Sequence, residues 1–218
     1  AQLDRAINTA IVTSFPIAFY GILQHYQLDP LPWGGDTTIR VAANMGNAIF
    51  VGAYLIMVVP ITLARLLESL ARATTKTNSR VTVIALVAVA LVMLLGLWML
   101  DFTFAMLFVI LFLMAMVGLG FVKSNLRDSL FIAAYAIILP VQLAAIFFTG
   151  SRGPWLGIAG GLFVFAVLYA LMRGARRVVL GTIAMATAGI LFLVVFNLPS
   201  SPLTPLKQVP YIGRLGQI

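Results

Sequence analysis

Between Val81 and Val122 a single charged residue, Asp101, interrupts an otherwise apolar stretch. As one helix this stretch would be about 63 Å long at 1.5 Å per residue, roughly twice the hydrocarbon thickness of a bilayer. So long an apolar run needs lipid as its solvent, and a helix of that length must fold back on itself. Asp101 marks the polar tip of a tight hairpin, which makes the stretch two membrane spans. The rest of the chain follows the same rule. Hydrophobic residues make up 62% of it and charged residues 9%, against about 25% charged in soluble domains. A chain so poor in charge cannot cover a water-facing surface.

Five further apolar runs are long enough to cross. They cover approximately Leu3–Leu23, Asn47–Leu67, Ser129–Phe148, Pro154–Met172 and Val178–Phe196. Pro16, Pro60 and Pro140 lie inside three of them, and Pro16 is expected to bend the first. The expected fold is therefore all-α, a polytopic transmembrane helix bundle of about seven spans over residues 1–197. A loop rich in Pro, Gly and Asp, Gln24–Gly46, joins the first two spans. Residues 198–218, with Pro199, Pro202, Pro205 and Pro210, read as a polar tail or the start of an extracytoplasmic loop.

Orientation follows from the basic residues, which concentrate in cytoplasmic loops. With seven spans, one side of the membrane holds Arg5, Arg65, Arg72, Lys76, Arg80, Lys123, Arg127, Arg173, Arg176 and Arg177. The other holds Arg40, Arg152, Lys207 and Arg214. The first side is cytoplasmic by this rule. The N-terminus is then inside, and the tail and the Asp101 tip are outside.

The same distribution accounts for the net charge of +8 without nucleic acid, because the cations sit in short loops between apolar runs. With no cysteine, disulfides, thiolate metal sites and cysteine nucleophiles are excluded. Asp4 and Arg5 in the first run, and no small-residue cleavage site after it, argue against a cleavable signal peptide. The span interiors carry no Asp, Glu, Lys or Arg at mid-depth and show no polar path, which argues against a proton-coupled transporter or a channel. Trp33, Trp98 and Trp155 fall near span ends and read as interface anchors.

The four outer cations depart from the orientation rule. Arg152 lies in Thr149-Gly150-Ser151-Arg152-Gly153-Pro154, where Pro154 is placed like the first residue of a helix and Ser151 or Gly153 like its cap. That helix runs inward from the outer face, so its positive dipole end, its free N–H groups and the Arg152 guanidinium suit a phosphate or diphosphate. Gly153, Gly157 and Gly161 recur every four residues and would admit a close helix neighbour. The second span repeats the arrangement, with Arg40 upstream and the cap-type residues Asn44, Gly46 and Asn47 at its start. Equally, Arg40 and Arg152 are open to simple snorkelling to headgroups, or to pairing with Asp29, Asp36 or Asp101.

Together these two stretches resemble the O-antigen ligase and O-antigen polymerase family of bacterial membrane glycosyltransferases. The first runs Arg40-Val41-Ala42-Ala43-Asn44-Met45-Gly46-Asn47-Ala48-Ile49-Phe50, followed by Ala53-Tyr54-Leu55. It is similar to the family's Arg…Gly-Asn-Pro-Asn…Leu-Ala-x-Tyr-Leu pattern, with Ala48 and Ile49 in place of Pro and Asn. The second, Thr149 to Gly153, is similar to the family's Thr-Gly-Ser-Arg-Gly turn. The resemblance implies transfer of a glycan from a polyprenyl-diphosphate carrier to an acceptor sugar at the outer face of the bacterial inner membrane, with no cofactor or metal. It implies diphosphate binding by Arg40, Arg152 and Arg214, with Ser151 and Asn47 beside them. A catalytic base is expected in a large outer loop after Ile218, so the expectation is the N-terminal part of a longer enzyme. His25 reads as an interface hydrogen-bonding residue and not as that base. The alternative is a non-catalytic transmembrane subunit that packs against protein partners in the membrane.

Overall fold

A computed structural model describes residues 2–31, 33–73, 126–199, 201–208 and 212–217. Its regular elements are five long α-helices: α1 (Gln2–His25), α2 (Ala48–Ala73), α3 (Leu126–Phe148), α4 (Arg152–Met172) and α5 (Arg176–Asn197). Short 3-10 turns lie at Ala43–Met45, Thr204–Gln208 and Ile212–Gln217. There is no strand among the described residues. All five helices contain an apolar segment long enough to cross a membrane, because in lipid only a helix or a closed barrel satisfies its own backbone. The chain is thus a membrane protein, all-helical among the described residues. The two spans expected over 81–122, with Trp98 and Asp101, lie outside the described residues.

The helices run a few residues beyond the apolar windows at several ends. α2 extends to Ala73 because Arg65, Glu68 and Arg72 continue it as an ion-paired turn: Arg65 meets Glu68 at i,i+3 and Arg72 meets Glu68 at i,i+4. Such pairs stabilise a helical turn by about 0.2–0.5 kcal/mol each. Pro16, Pro60 and Pro140 stay inside α1, α2 and α3.

The chain divides into two compact units, Ala1–Phe15 with Ile61–Gln142, and Pro16–Pro60 with Leu143–Ile218. In the first, polar contacts set helix direction. The Tyr135 hydroxyl donates to Asn8 Oδ1 at 2.9 Å, and Gln142 Nε2 donates to Ser14 Oγ at 2.6 Å. Both partners advance along the chain, so α1 and α3 are parallel. Gln142 Nε2 also donates to Thr62 Oγ1 at 3.0 Å. Asp4, earlier in α1, pairs with Arg65, later in α2, so α1 and α2 are antiparallel. Ser14, Thr62 and Gln142 are fully buried. This is side-chain hydrogen bonding between helices where water is scarce.

The second unit holds the end of α1, the start of α2, the end of α3, and α4 and α5. Its tightest seam joins α2 to α4. A Cβ on Gly52 would lie 2.3 Å from Pro154 Cγ, and one on Gly157 would lie 2.8 Å from Ile56 Cδ1. Gly161 faces Pro60 at 3.9 Å. Of the glycine repeat on α4, Gly157 is the close approach, Gly161 leaves room for ordinary contact, and a Cβ on Gly153 would meet nothing within 4 Å. Its place in the seam is taken by Pro154 against Gly52 on the opposite helix. α5 packs on α4, and the Ile212–Gln217 turn packs on α5. Asn197 Nδ2 donates to both Leu193 O and Leu215 O at 2.9 Å. The expected polar tail is therefore folded back on the end of α5 at this point. The apolar window of α4 is 6% buried and that of α5 is 0% buried, surfaces that only lipid or another apolar partner can cover.

Candidate functional site

The loop between α1 and α2 is held by three backbone anchors. Gln24, fully buried near the end of α1, accepts the Ala43 N–H on Oε1 at 2.7 Å and donates from Nε2 to Ala43 O at 3.3 Å. The Val41 N–H donates to Phe148 O at 3.1 Å, at the last residue of α3. Val41, Ala144 and Phe148 form a small core, with Ile22 and Tyr26 against it. Within this frame Ala43 is held at φ +45° and Gly46 at φ +70°. The left-handed region costs roughly 1–2 kcal/mol for a residue with a Cβ, which the Gln24 clamp offsets at Ala43. The Gly46 turn sets up α2, and Asn47 caps it: Asn47 Oδ1 accepts the Ile49 N–H at 2.9 Å. Of the three cap-type residues, Asn47 takes the role. Asn44 lies inside the preceding 3-10 turn.

The Thr149–Gly153 turn is built at the end of α3. Gly150 adopts φ +56° and its N–H donates to Phe147 O, a glycine stop of the common kind. Thr149 Oγ1 donates to Ile146 O and accepts the Ser151 N–H. α4 then starts at Arg152, with Ser151 at the cap position but without a capping side-chain bond. Pro154 is accordingly the third residue of α4 and not the first. Its missing N–H still falls among the four that a helix start leaves unpaired. Gly153 lies inside the helix and is not its cap.

Ser151 is instead used across the site. Arg40 Nη2 donates to Ser151 Oγ at 3.0 Å, and that hydroxyl donates to Thr149 O at 3.2 Å. Ser151 is buried and Arg40 exposed. The two arginine-bearing helix starts thus lie side by side, joined through Arg40 and the residue before Arg152. Among the described residues Arg40 forms no ion pair. Asp29 accepts instead from the Tyr20 hydroxyl, Trp33 Nε1 and the Leu31 N–H, and Asp36 accepts from the Thr38 N–H and hydroxyl. These donors, Tyr20 foremost for Asp29 and Thr38 for Asp36, hold both carboxyls below the usual range. The Arg214 backbone lies in the Ile212–Gln217 turn, and its side chain lies outside the description.

A cleft of about 430 Å³ opens beside Arg40. Its walls include Trp33, the Gly34-Gly35 pair, Asp36, Arg40 and Asn47. Trp33, which reads from sequence as an interface anchor, here forms part of a cleft wall. Trp155 keeps a more ordinary role, with Nε1 donating to Ile146 O at 3.1 Å and its ring stacked on Phe147. His25 stacks on Phe148, with ring centroids 3.8 Å apart. Among the described residues no three carboxylate or imidazole groups gather as a metal-binding set. Gln24 and Gly52 were not legible as site or seam residues, because what recruits them, Ala43 and Pro154, is distant in sequence. Trp33 and Asp36 bond to near neighbours, but nothing local shows that they line a cleft.

No family model, curated protein or solved structure matches the chain.

Proposed function

We propose that this protein handles a polyprenyl-diphosphate-linked glycan at the outer face of a bacterial inner membrane, as a glycosyltransferase of the O-antigen ligase or polymerase type. The observation that carries the reading is the Arg40–Ser151 hydrogen bond, 3.0 Å long. It joins the two stretches on which the family resemblance rests. A diphosphate there would meet the Arg40 and Arg152 guanidiniums, the Ser151 hydroxyl and the first N–H groups of α4, with Asn47 beside them. Preorganised donors of this kind stabilise a leaving diphosphate as charge develops on it. In the reaction the acceptor hydroxyl oxygen bonds to the anomeric carbon, and the bond from that carbon to the diphosphate oxygen breaks. The electron pair leaves with the carrier diphosphate, and a base takes the hydroxyl proton. Arg214 is included in the diphosphate set from the resemblance alone.

The outer-face orientation rests on the ten-to-four distribution of cations. The test is glycan transfer in membranes by the full chain carrying Arg40→Ala or Arg152→Ala. Loss of one preorganised donor is expected to cost about 10²-fold in rate at equal protein level. Undiminished transfer in both variants would overturn the assignment.

A second reading draws on the uncovered apolar windows of α4 and α5. Under it the chain is a non-catalytic subunit whose α4–α5 surface packs against a membrane partner. Stoichiometric co-purification with that partner, and no transfer activity in the pair, would favour it.

A further inference from the structure

The cleft beside Arg40 is chemically unlike a phosphate site. A phosphate needs donors and cations, and a carboxylate on the wall opposes it. Here Asp36 stands in the wall together with Arg40 and Asn47, and Trp33 supplies an aromatic surface. Asn47 Oδ1 is occupied by the Ile49 N–H, and its Nδ2 donates to no described residue. Arg40 uses Nη2 on Ser151, and its other N–H groups bond to no described residue. The cleft thus offers one anionic acceptor, amide and guanidinium donors, and an apolar ring face.

These groups are fixed before any ligand arrives. The Trp33 indole is pinned by its Nε1–H bond to Asp29 Oδ2 at 2.6 Å and by the edge of Tyr20, with centroids 6.3 Å apart. Thr38 orients the Asp36 carboxylate through its N–H and hydroxyl. Asn47 is fixed as the α2 cap. Gly34 and Gly35 add no side chain, and a Cβ on either would meet nothing within 4 Å, so the wall stays open there. At about 430 Å³ the cleft falls within the range of roughly 300–1,000 Å³ usual for small-molecule sites.

A pyranose matches this lining. Its hydroxyls both donate and accept, so they can use a carboxylate and an amide together. Its C–H face is apolar enough to lie on an indole. Arg40 belongs both to the cleft wall and to the Ser151 contact, so a sugar in the cleft would adjoin whatever occupies the Arg40–Ser151 corner. We propose that the cleft lined by Trp33, Asp36, Arg40 and Asn47 binds the sugar attached directly to the carrier diphosphate. The cleft is then the donor-sugar subsite and decides which glycan the protein accepts. The assignment rests on the carrier reading above and adds to it a location for the sugar.

The experiment uses the full chain in lipid nanodiscs and measures equilibrium binding of two probes. One is polyprenyl diphosphate alone. The other is polyprenyl diphosphate bearing a single glucose or N-acetylglucosamine. The native protein is expected to bind at least one sugar-bearing probe about tenfold more tightly than the bare carrier. Trp33→Ala and Asp36→Asn are expected to abolish that preference while binding to the bare carrier persists. Trp33→Phe keeps the ring but loses the indole N–H, and it is expected to keep most of the preference. This separates the ring's contact with the sugar from its part in holding the loop. Equal binding of all probes by the native protein, or a preference that survives both Trp33→Ala and Asp36→Asn, would overturn the subsite and leave the carrier reading standing. Failure of the native protein to bind any probe would overturn both.

Discussion

Gln24 grips both hydrogen-bonding groups of the Ala43 backbone, accepting its N–H at 2.7 Å and donating to its carbonyl at 3.3 Å. The pair is fully buried, and Ala43 is held at φ +45°. One side chain near the end of α1 thus sets the path of the loop that carries Arg40 and Asn47 into α2.

Gln24→Ala strands two buried backbone groups, each worth about 1–3 kcal/mol when left unsatisfied. The expected result is a lower melting temperature in detergent, together with faster hydrogen exchange across residues 41–47. Gln24→Glu keeps an acceptor for the Ala43 N–H but, once ionised, sets a buried carboxylate oxygen against the Ala43 carbonyl. It is expected to be at least as destabilising as Gln24→Ala in both measurements.

The α2–α4 seam predicts a graded glycine series. Gly52→Ala places a Cβ 2.3 Å from Pro154, a ring that cannot yield by rotating, and overpacking of this kind costs about 1–3 kcal/mol. Gly157→Ala meets only the mobile end of Ile56 at 2.8 Å and is expected to cost less. Gly153→Ala meets nothing within 4 Å and is expected to leave the melting temperature within a degree or so, since surface changes away from contacts usually stay within about 0.5 kcal/mol. Thermal unfolding of the three variants in one detergent checks the order.

Gln142 donates to Ser14 and Thr62 through Nε2, while its buried Oε1 has no partner among the described residues. Gln142→Leu removes both bonds, each worth about 0.6 kcal/mol on average within membranes, but also removes the stranded acceptor. These effects oppose each other. The expected change in unfolding free energy is below about 1 kcal/mol. Gln142→Ala adds a cavity and is expected to be clearly less stable, by about 2 kcal/mol or more.

Asp29 and Asp36 supply the pH dependence of the loop. Both carboxyls lie below their ordinary value of 3.8 in the folded protein. A depressed folded-state value means that their stabilisation is complete above the unfolded value and is lost as pH falls through the folded one. The loop is therefore expected to stay ordered through the ordinary carboxylate range and to loosen only below it. The indole N–H resonance of Trp33, which is bonded to Asp29, reports the transition by NMR. Asp29→Asn should remove the Asp29 part of that transition.

The membrane class of the chain, the five described helices and most of their limits were legible because each depends on local properties. Apolar run length, proline and glycine position, and the cap at Asn47 act within a few residues of the chain. The expectation for Pro154 missed by two positions for a related reason. A proline suits any of the first turn's unpaired N–H positions, so its presence located the helix start without specifying the residue. Similarly, glycines on α4 signalled a close neighbour, but the choice of Gly157 over Gly153 depended on where Pro154 and Ile56 fall across the seam.

By itself, the sequence determined that this chain is a helical membrane protein, with an arginine in each of the segments that lead into α2 and α4. Lipid makes those outcomes almost unavoidable, because apolar surface and backbone polarity are dealt with segment by segment. Only the tertiary structure decided that Arg40 reaches Ser151, that Gln24 shapes the loop from α1 to α2, and that Trp33 and Asp36 share a cleft with both Arg40 and Asn47. Those pairings span up to 111 residues. They come from the fit of side chains across a packed seam, and no periodicity or local propensity along the chain encodes that fit.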